Sequence, residues 1–315
     1  MRIATLVTSF LLILTGFFFL GAGTANAEEV ETCYFYDENM EKITVEDDCS
    51  EIRFTGQSQG NHEMDCTVIF PWSEGDEPDP RYVQYPIIAW ANGWDQGNVI
   101  GEYTTFGYKL GLIEWALDGP YIVVAANQWS VQESDVLACL QLVIDEYEEI
   151  ADADSIGLAG HSQGGGAVIK AGDGEPNGFD ITAVVAMNPY GPAWVNPEIQ
   201  DGPVMLLGGT ADTTTPTSSF QEVFDAILYE GDKGGLLAVL EGGSHNSEAW
   251  GVYENGETMS WEDAQEVNFG EYKRVTKLWW DFHLNGNARS GRQLQRLLDR
   301  DPWDTQYAFT ENFEL

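Results

Sequence analysis

From Met64 onward, short apolar runs alternate with longer stretches of helical period. That alternation predicts an α/β fold in which a mostly parallel central sheet is flanked by helices. The predicted strands are 66–70, 85–90, 121–126, 155–159, 181–187, 204–207 and 236–240, the last being the final central strand. Helical periodicity marks 104–117, then a helix placing Val136, Leu140, Val143 and Tyr147 on one face. Ser130 with Glu133 three residues later is the pattern of a capping box for that helix. Thr215-Pro216 opens another helix, with Phe220, Val223, Phe224 and Ile227 on one side. A late helix over 271–284 turns Tyr272, Val275 and Phe282 inward. The interval between the strands ending at Met187 and starting at Val204 leaves no room for a large lid domain.

The segment before this series has a different character. Residues 28–63 are polar, acidic and rich in turn residues, an N-terminal extension with room for a small hairpin, so the α/β domain is expected over 64–315. Residues 1–27 carry Arg2, an uncharged and mostly apolar stretch over 3–22, and Ala25-Asn26-Ala27. These are the parts of a cleavable secretory signal. An uncleaved anchor is the rival reading, since the stretch approaches spanning length. The small-residue site and Glu28-Glu29 behind it favour cleavage, hence a secreted or periplasmic protein without stable membrane association.

Cysteine usage fits that compartment. Cys33, Cys49, Cys66 and Cys139 allow three pairings. Cys33 with Cys49 and Cys66 with Cys139 is preferred, because the first pair closes a short loop in a segment with little core of its own. Such a crosslink contributes about 3 kcal/mol. A zinc site is disfavoured: there is no C-x-x-C pair and the histidines are scattered.

Charge narrows the partners. The formal net charge is −38, from 14 Lys plus Arg against 52 Asp plus Glu. A surface of that sign repels nucleic acid and anionic membranes. With 43% hydrophobic residues the chain has enough apolar content for a core, so disorder does not explain the charge. A solvated acidic shell and an adaptation to saline surroundings both remain open. No loop of EF-hand spacing is present for calcium.

The chemistry is carried by Gly160-His161-Ser162-Gln163-Gly164-Gly165-Gly166, which follows an apolar run and leads into small residues suited to a helix. Strand, sharp turn bearing serine, then helix is the nucleophile elbow of serine hydrolases. The pattern alone is weak in a chain with 34 glycines. Gly56-Gln57-Ser58-Gln59-Gly60 also fits G-x-S-x-G, but it follows a polar stretch, so no buried strand is expected before it and it is read as a loop.

Context separates the two. In this fold an acid and then a histidine follow the nucleophile, each beyond the carboxyl end of a strand. Asp212 follows the 204–207 run, and His245 follows the 236–240 run on a small-residue loop. A lone Asp is more often a turn or cap, so its placement carries the argument. Asp201 and Asp232 precede strands, and His62 adjoins the other pentapeptide. His283 falls at a helix end as a packed residue, and His161 shapes the elbow. Ser162, Asp212 and His245 are therefore the expected triad. Backbone N–H groups of Gln163 and of the Gly93-Trp94 turn, Trp94 preferred, are the expected oxyanion donors.

These segments, in this order over roughly 80–310, resemble the cutinase-like polyester hydrolases, which include PET hydrolases and lid-less lipases. Gly160-His-Ser162-Gln163-Gly-Gly-Gly is similar to the family's G-H-S-M-G-G-G. Asp212-Thr-Thr-Thr-Pro216 resembles its D-x-x-x-P loop, Ser244-His245 its S-H pair, and Asn92-Gly93-Trp94 its P-G-aromatic turn. Asn188-Pro189-Tyr190 is similar to the segment where the family places a substrate-clamping Trp. The resemblance implies a monomeric α/β-hydrolase needing no cofactor or metal. It implies cleavage of carboxylic esters, polyesters included, with Trp94, Tyr190 and Thr214 lining the substrate cleft. Triacylglycerol hydrolysis is the alternative, and peptide hydrolysis a more distant one. The departures are Asn92 for Pro, Tyr190 for Trp, a longer acidic segment over 251–265, and no cysteine after Cys139 for a C-terminal disulfide.

Overall fold

The computed structural model describes residues 33–36, 42–45, 51–57, 63–71, 84–93, 108–126, 130–172, 178–190, 202–230, 233–245, 269–300 and 302–308. The expected signal over 1–27, Cys49, Ser58, Trp94 and the 251–265 segment lie outside them.

The chain divides into two compact units. The first comprises residues 1–50 and 72–81; the second comprises 51–71 and 82–315. In the first, β1 (Cys33–Tyr36) and β2 (Lys42–Val45) pair antiparallel as the small hairpin for which the sequence left room.

The second unit is built on a nine-stranded sheet in the order β11-β10-β9-β8-β7-β5-β6-β4-β3. Its parallel centre consists of β6 (Ile122–Ala126), β5 (Tyr85–Ala91), β7 (Ala151–His161), β8 (Ile181–Met187), β9 (Val204–Gly209) and β10 (Gly235–Leu240). Every residue of β5, β6, β9 and β10 is buried, which is why these strands are apolar throughout rather than alternating. Antiparallel strands close both edges: β3 (Glu51–Gln57) and β4 (Glu63–Ile69) on one side, β11 (Trp303–Ala308) on the other.

β3 belongs to the main sheet although it lies within the predicted extension, and it is grouped with the second unit from Glu51 onward. It also places a strand directly before Ser58. Gln57 pairs with Glu63, so the second G-x-S-x-G stretch leads from the outermost strand β3 to its antiparallel neighbour β4.

Among the described residues six helices accompany the sheet: α1 (Lys109–Asp118), α2 (Glu133–Glu146), α3 (Gln163–Ala171), α4 (Thr217–Glu230), α5 (Phe269–His283) and α6 (Ala288–Leu298). Val136, Leu140 and Val143 of α2 are buried as the periodicity requires, and Tyr147 stacks edge-on against Phe70 at 4.9 Å. The α2 cap differs from the expected one: the Asp135 carboxylate accepts the Gln132 N–H at 2.9 Å, so the reciprocal pair lies two residues further on than Ser130 and Glu133. Tyr272 and Val275 of α5 are fully buried, and so are Trp279 and Trp280. Phe282 is only half-buried because it packs on α6, where a methyl at Gly291 would come within 2.7 Å of its ring. Trp115 of α1 meets α5 through an edge contact with Trp280 at 5.9 Å and a hydrogen bond to Thr276 Oγ1 at 3.2 Å.

The Cys66–Cys139 pairing is present and joins β4 to α2. It closes a separation of 73 residues, which corresponds to about 4 kcal/mol in the chain-entropy account.

Strand order sets where chemistry can occur. The chain steps from β5 to β6 on one side, then returns to place β7 on the other. Such a reversal opens a crevice beyond the carboxyl ends of the two strands. Gly93 follows β5 and Ser162 follows β7, so both stand at that crevice.

Candidate active site

Ser162 is held at φ 53°, ψ −120° between β7 and α3. A non-glycine residue adopts such a conformation only when its surroundings enforce it. Here they do. Its N–H donates to the Met187 carbonyl at 2.9 Å, and its carbonyl accepts from Tyr190 N–H at 2.8 Å and Gly166 N–H at 3.2 Å. The flanking glycines are sterically required. A methyl at Gly160 would lie 2.4 Å from the Gly164 carbonyl oxygen, and one at Gly164 would lie 2.1 Å from that of Ala91.

The two expected partners of Ser162 converge on it. His245 Nε2 lies 3.1 Å from Ser162 Oγ, and His245 Nδ1 lies 2.8 Å from Asp212 Oδ2. The Asp212 side chain is fully buried, whereas that of His245 retains 17% exposure, enough for a reacting group to reach it. Burial alone would raise the Asp212 pKa. Hydrogen bonds from His245 and Thr215 outweigh it and hold the carboxyl below its ordinary range. An ionised Asp212 can only accept, so Nδ1 carries the proton and bare Nε2 faces the serine hydroxyl.

Thr215 is a residue the sequence reading missed. Its hydroxyl lies 2.7 Å from Asp212 Oδ2, 3.0 Å from the Asn188 carbonyl and 3.0 Å from His245 Nδ1. The N–H groups of Thr214 and Thr215 both donate to Asp212 Oδ1 at 2.8 Å. The loop 212–215 is thus wound around its own carboxylate. The Asp-first, Thr-rich composition was the available signal, because Asp side chains take such turn hydrogen bonds. The Thr214 side chain itself is exposed.

Gln163 begins α3, so its N–H is among the first-turn donors that lack an acceptor within the helix. Its side-chain amide donates to Ser130 Oγ, which also accepts from Gln132 Nε2 at 3.1 Å. Ser130, expected in a cap, instead tethers the elbow. Opposite, a methyl on Gly93 would approach Ser162 Cβ to 3.2 Å, so the turn after β5 lies against the nucleophile. Asn92, where the resembled family has Pro, is fully buried. It accepts from Trp90 Nε1 at 2.7 Å and donates to the Ala126 carbonyl at 3.1 Å, linking the ends of β5 and β6. Trp94, the preferred second oxyanion donor and cleft residue, lies outside the described residues. Tyr190 is 58% exposed although its backbone N–H is bound to the Ser162 carbonyl.

Among the described residues no group of His, Cys, Asp and Glu is arranged to hold a metal ion, and no helix is long and apolar enough to cross a membrane. No protein-family model matches the sequence, and a search of curated proteins gives no match either.

Proposed function

We propose that the chain is a serine hydrolase of carboxylic esters. One observation carries the reading: Asp212, His245 and Ser162 form a continuous hydrogen-bonded relay ending on a serine in a strained strand-to-helix turn. A serine and a histidine placed for packing alone need neither a buried, ionised third member nor that backbone conformation.

The relay supports the following reaction. His245 Nε2 takes the proton of Ser162 Oγ as the oxygen attacks the ester carbonyl. The imidazolium is stabilised by Asp212, which keeps its own proton-free state. Negative charge collects on the former carbonyl oxygen, and the Gln163 N–H faces that position, joined by an N–H of the turn after β5. Collapse of the intermediate breaks the bond to the alcohol, which leaves with the proton from His245. Water, deprotonated by the same His245, then releases the acid and restores Ser162.

Polyesters enter as a substrate class through the family resemblance, and the exposed Tyr190, whose backbone N–H is bound to the Ser162 carbonyl, is in keeping with a large or surface-presented substrate. Triacylglycerols are the alternative, which a series of acyl lengths beside polyester films separates. The Cys66–Cys139 disulfide agrees with an oxidising, extracytoplasmic location. The direct test is hydrolysis of a short p-nitrophenyl ester. The wild-type chain should turn it over and Ser162→Ala should not; equal rates would end the proposal.

A further inference from the structure

A second hydrogen-bonded chain runs behind the triad, and the ester-hydrolase reading leaves it without a task. Tyr108 precedes α1, and its hydroxyl lies 2.7 Å from His161 Nδ1. On the other side of the ring, His161 Nε2 lies 2.7 Å from the backbone carbonyl of His245. The tautomer follows from chemistry alone. A carbonyl only accepts, so Nε2 carries the proton. In the neutral ring Nδ1 is then an acceptor, and the Tyr108 hydroxyl must donate to it. His161 is buried, and desolvation together with the neighbouring His245 lowers its pKa to about 3, so it is neutral at working pH. A second donor reaches the same carbonyl: Asn188 Nδ2 lies 3.2 Å from it and 3.3 Å from the Ser244 carbonyl.

The main chain reaches His245 through Gly242, Gly243 and Ser244, with Gly242 at φ 76°. Upstream it is held by the Gly242 N–H on Thr210 Oγ1 at 2.8 Å and the Ala211 N–H on the Gly243 carbonyl at 2.9 Å, and the His161 and Asn188 donors extend that support to the histidine itself. The imidazole is held through Nδ1 by Asp212 and Thr215, while Nε2 meets the reacting Ser162 Oγ at 3.1 Å. A ring held at Nδ1 still swings if its backbone moves, and the distance to Ser162 Oγ then changes. His161 ends β7 and Asn188 follows β8, central strands buried at these ends, and so they transmit the sheet's rigidity to the loop. The His161 ring also lies 4.8 Å from the His245 ring, packing the side of the base away from solvent.

We propose that Tyr108 and His161 form a positioning pair: the tyrosine hydroxyl fixes the His161 tautomer so that Nε2–H clamps the His245 carbonyl and aligns the base on Ser162. The proposal rests on the ester-hydrolase reading for its kinetic consequence, but not for its geometry. Without the Tyr108 hydroxyl, His161 is free to carry its proton on Nδ1, and a bare Nε2 would then face a carbonyl oxygen.

The test combines spectroscopy with kinetics normalised to active sites titrated by a fluorophosphonate. In the wild type, imidazole 15N resonances of His161 should show a protonated Nε2 and a bare Nδ1; the reverse tautomer overturns the proposal whatever the protein catalyses. Tyr108→Phe should lower kcat per titrated site about tenfold, with KM changed by less than about twofold, because a misplaced base costs rate rather than affinity. His161→Leu should lose about a hundredfold, and His161→Gln, which keeps an N–H donor near the Nε2 position, should recover most of that loss. Unchanged kcat in Tyr108→Phe with only a lowered melting temperature would reduce the pair to packing and overturn the proposal. If His161→Leu does not fold, Tyr108→Phe and the tautomer still decide. A wild type inert to esters and to the probe defeats the ester-hydrolase reading, and the tautomer measurement stands apart from it.

Discussion

Gly56-Gln57-Ser58-Gln59-Gly60 and Gly160-His161-Ser162-Gln163-Gly164 satisfy the same five-residue pattern, and each begins at the end of a strand. The first strand, β3, is the outermost of the sheet and is paired on one side by its antiparallel successor. The second, β7, is central, lies between parallel neighbours and passes into a helix. An antiparallel connection returns the chain at once to pair beside the strand it left. A parallel one must cross the sheet, and the ends of β8, β9 and β10 then bring Asn188, Asp212 and His245 to the same edge. A strand before the serine is therefore not the discriminating feature. Parallel surroundings and a helix behind it are.

The largest expected effect separates the two serines by activity. Ser162→Ala should reduce kcat for a p-nitrophenyl ester by about six orders of magnitude, while Ser58→Ala should leave it unchanged. Comparable losses at both positions would break the distinction. Asp212→Asn should cost about 10⁴ in kcat with little change in folding, because the amide presents a donor toward Nδ1 and disturbs the tautomer. The glycines sharpen the comparison through stability. Gly164→Ala forces a methyl to 2.1 Å from the Ala91 carbonyl oxygen. It should destabilise by about 1–3 kcal/mol or more in denaturant unfolding. Gly56→Ala, within a paired strand, should change stability by less than about 1 kcal/mol and in the favourable direction. Equal destabilisation at the two sites would contradict the account.

The smallest effect concerns the protonation of two desolvated histidines, one at the elbow and one at the end of α5. His161 is buried and His283 half-buried with its ring packed on Trp279, and desolvation lowers both to about 3. Their folded pKa values lie below the unfolded value near 6.5, so the unfolded chain takes up their protons first as pH falls. The stability they contribute is complete above about pH 6.5 and declines as pH falls toward about 3. Protonation of the acidic surface acts in the opposite sense on net repulsion, so the titration is best read residue by residue. Ring resonances of His161 and His283 should not shift between pH 8 and about 4.5; titration of either near its ordinary value would show that its ring is not enclosed as described.

Much of this arrangement was legible in the sequence for identifiable reasons. β5, β6, β8, β9 and β10 are buried on both faces and read as uninterrupted apolar runs, and Asp212 and His245 could be placed because each follows such a run directly. The edges were not legible. β11 alternates Trp303, Thr305 and Tyr307 with Asp304 and Gln306, and β7 begins early, through Asp152 and Asp154, which keep contact with solvent. α6 is mostly polar and buries only a few residues, Leu294, Leu297 and Leu298 among them, and no element is predicted there. In the site, Ser130, Tyr108 and Asn188 act through partners far away in sequence, and no local spacing encodes a contact between positions 53 or 57 residues apart. Tertiary pairing alone defines those residues, whereas backbone strain and strand ends leave a local mark.

The central claim is that one serine of this chain is activated and that its place in the sheet activates it. Mass spectrometry of the native protein after treatment with a fluorophosphonate tests it most directly. The account predicts a single adduct on the peptide bearing Ser162, lost on unfolding before treatment and lost in His245→Ala. No adduct on the native chain, or an adduct on Ser58 in place of Ser162, would contradict it.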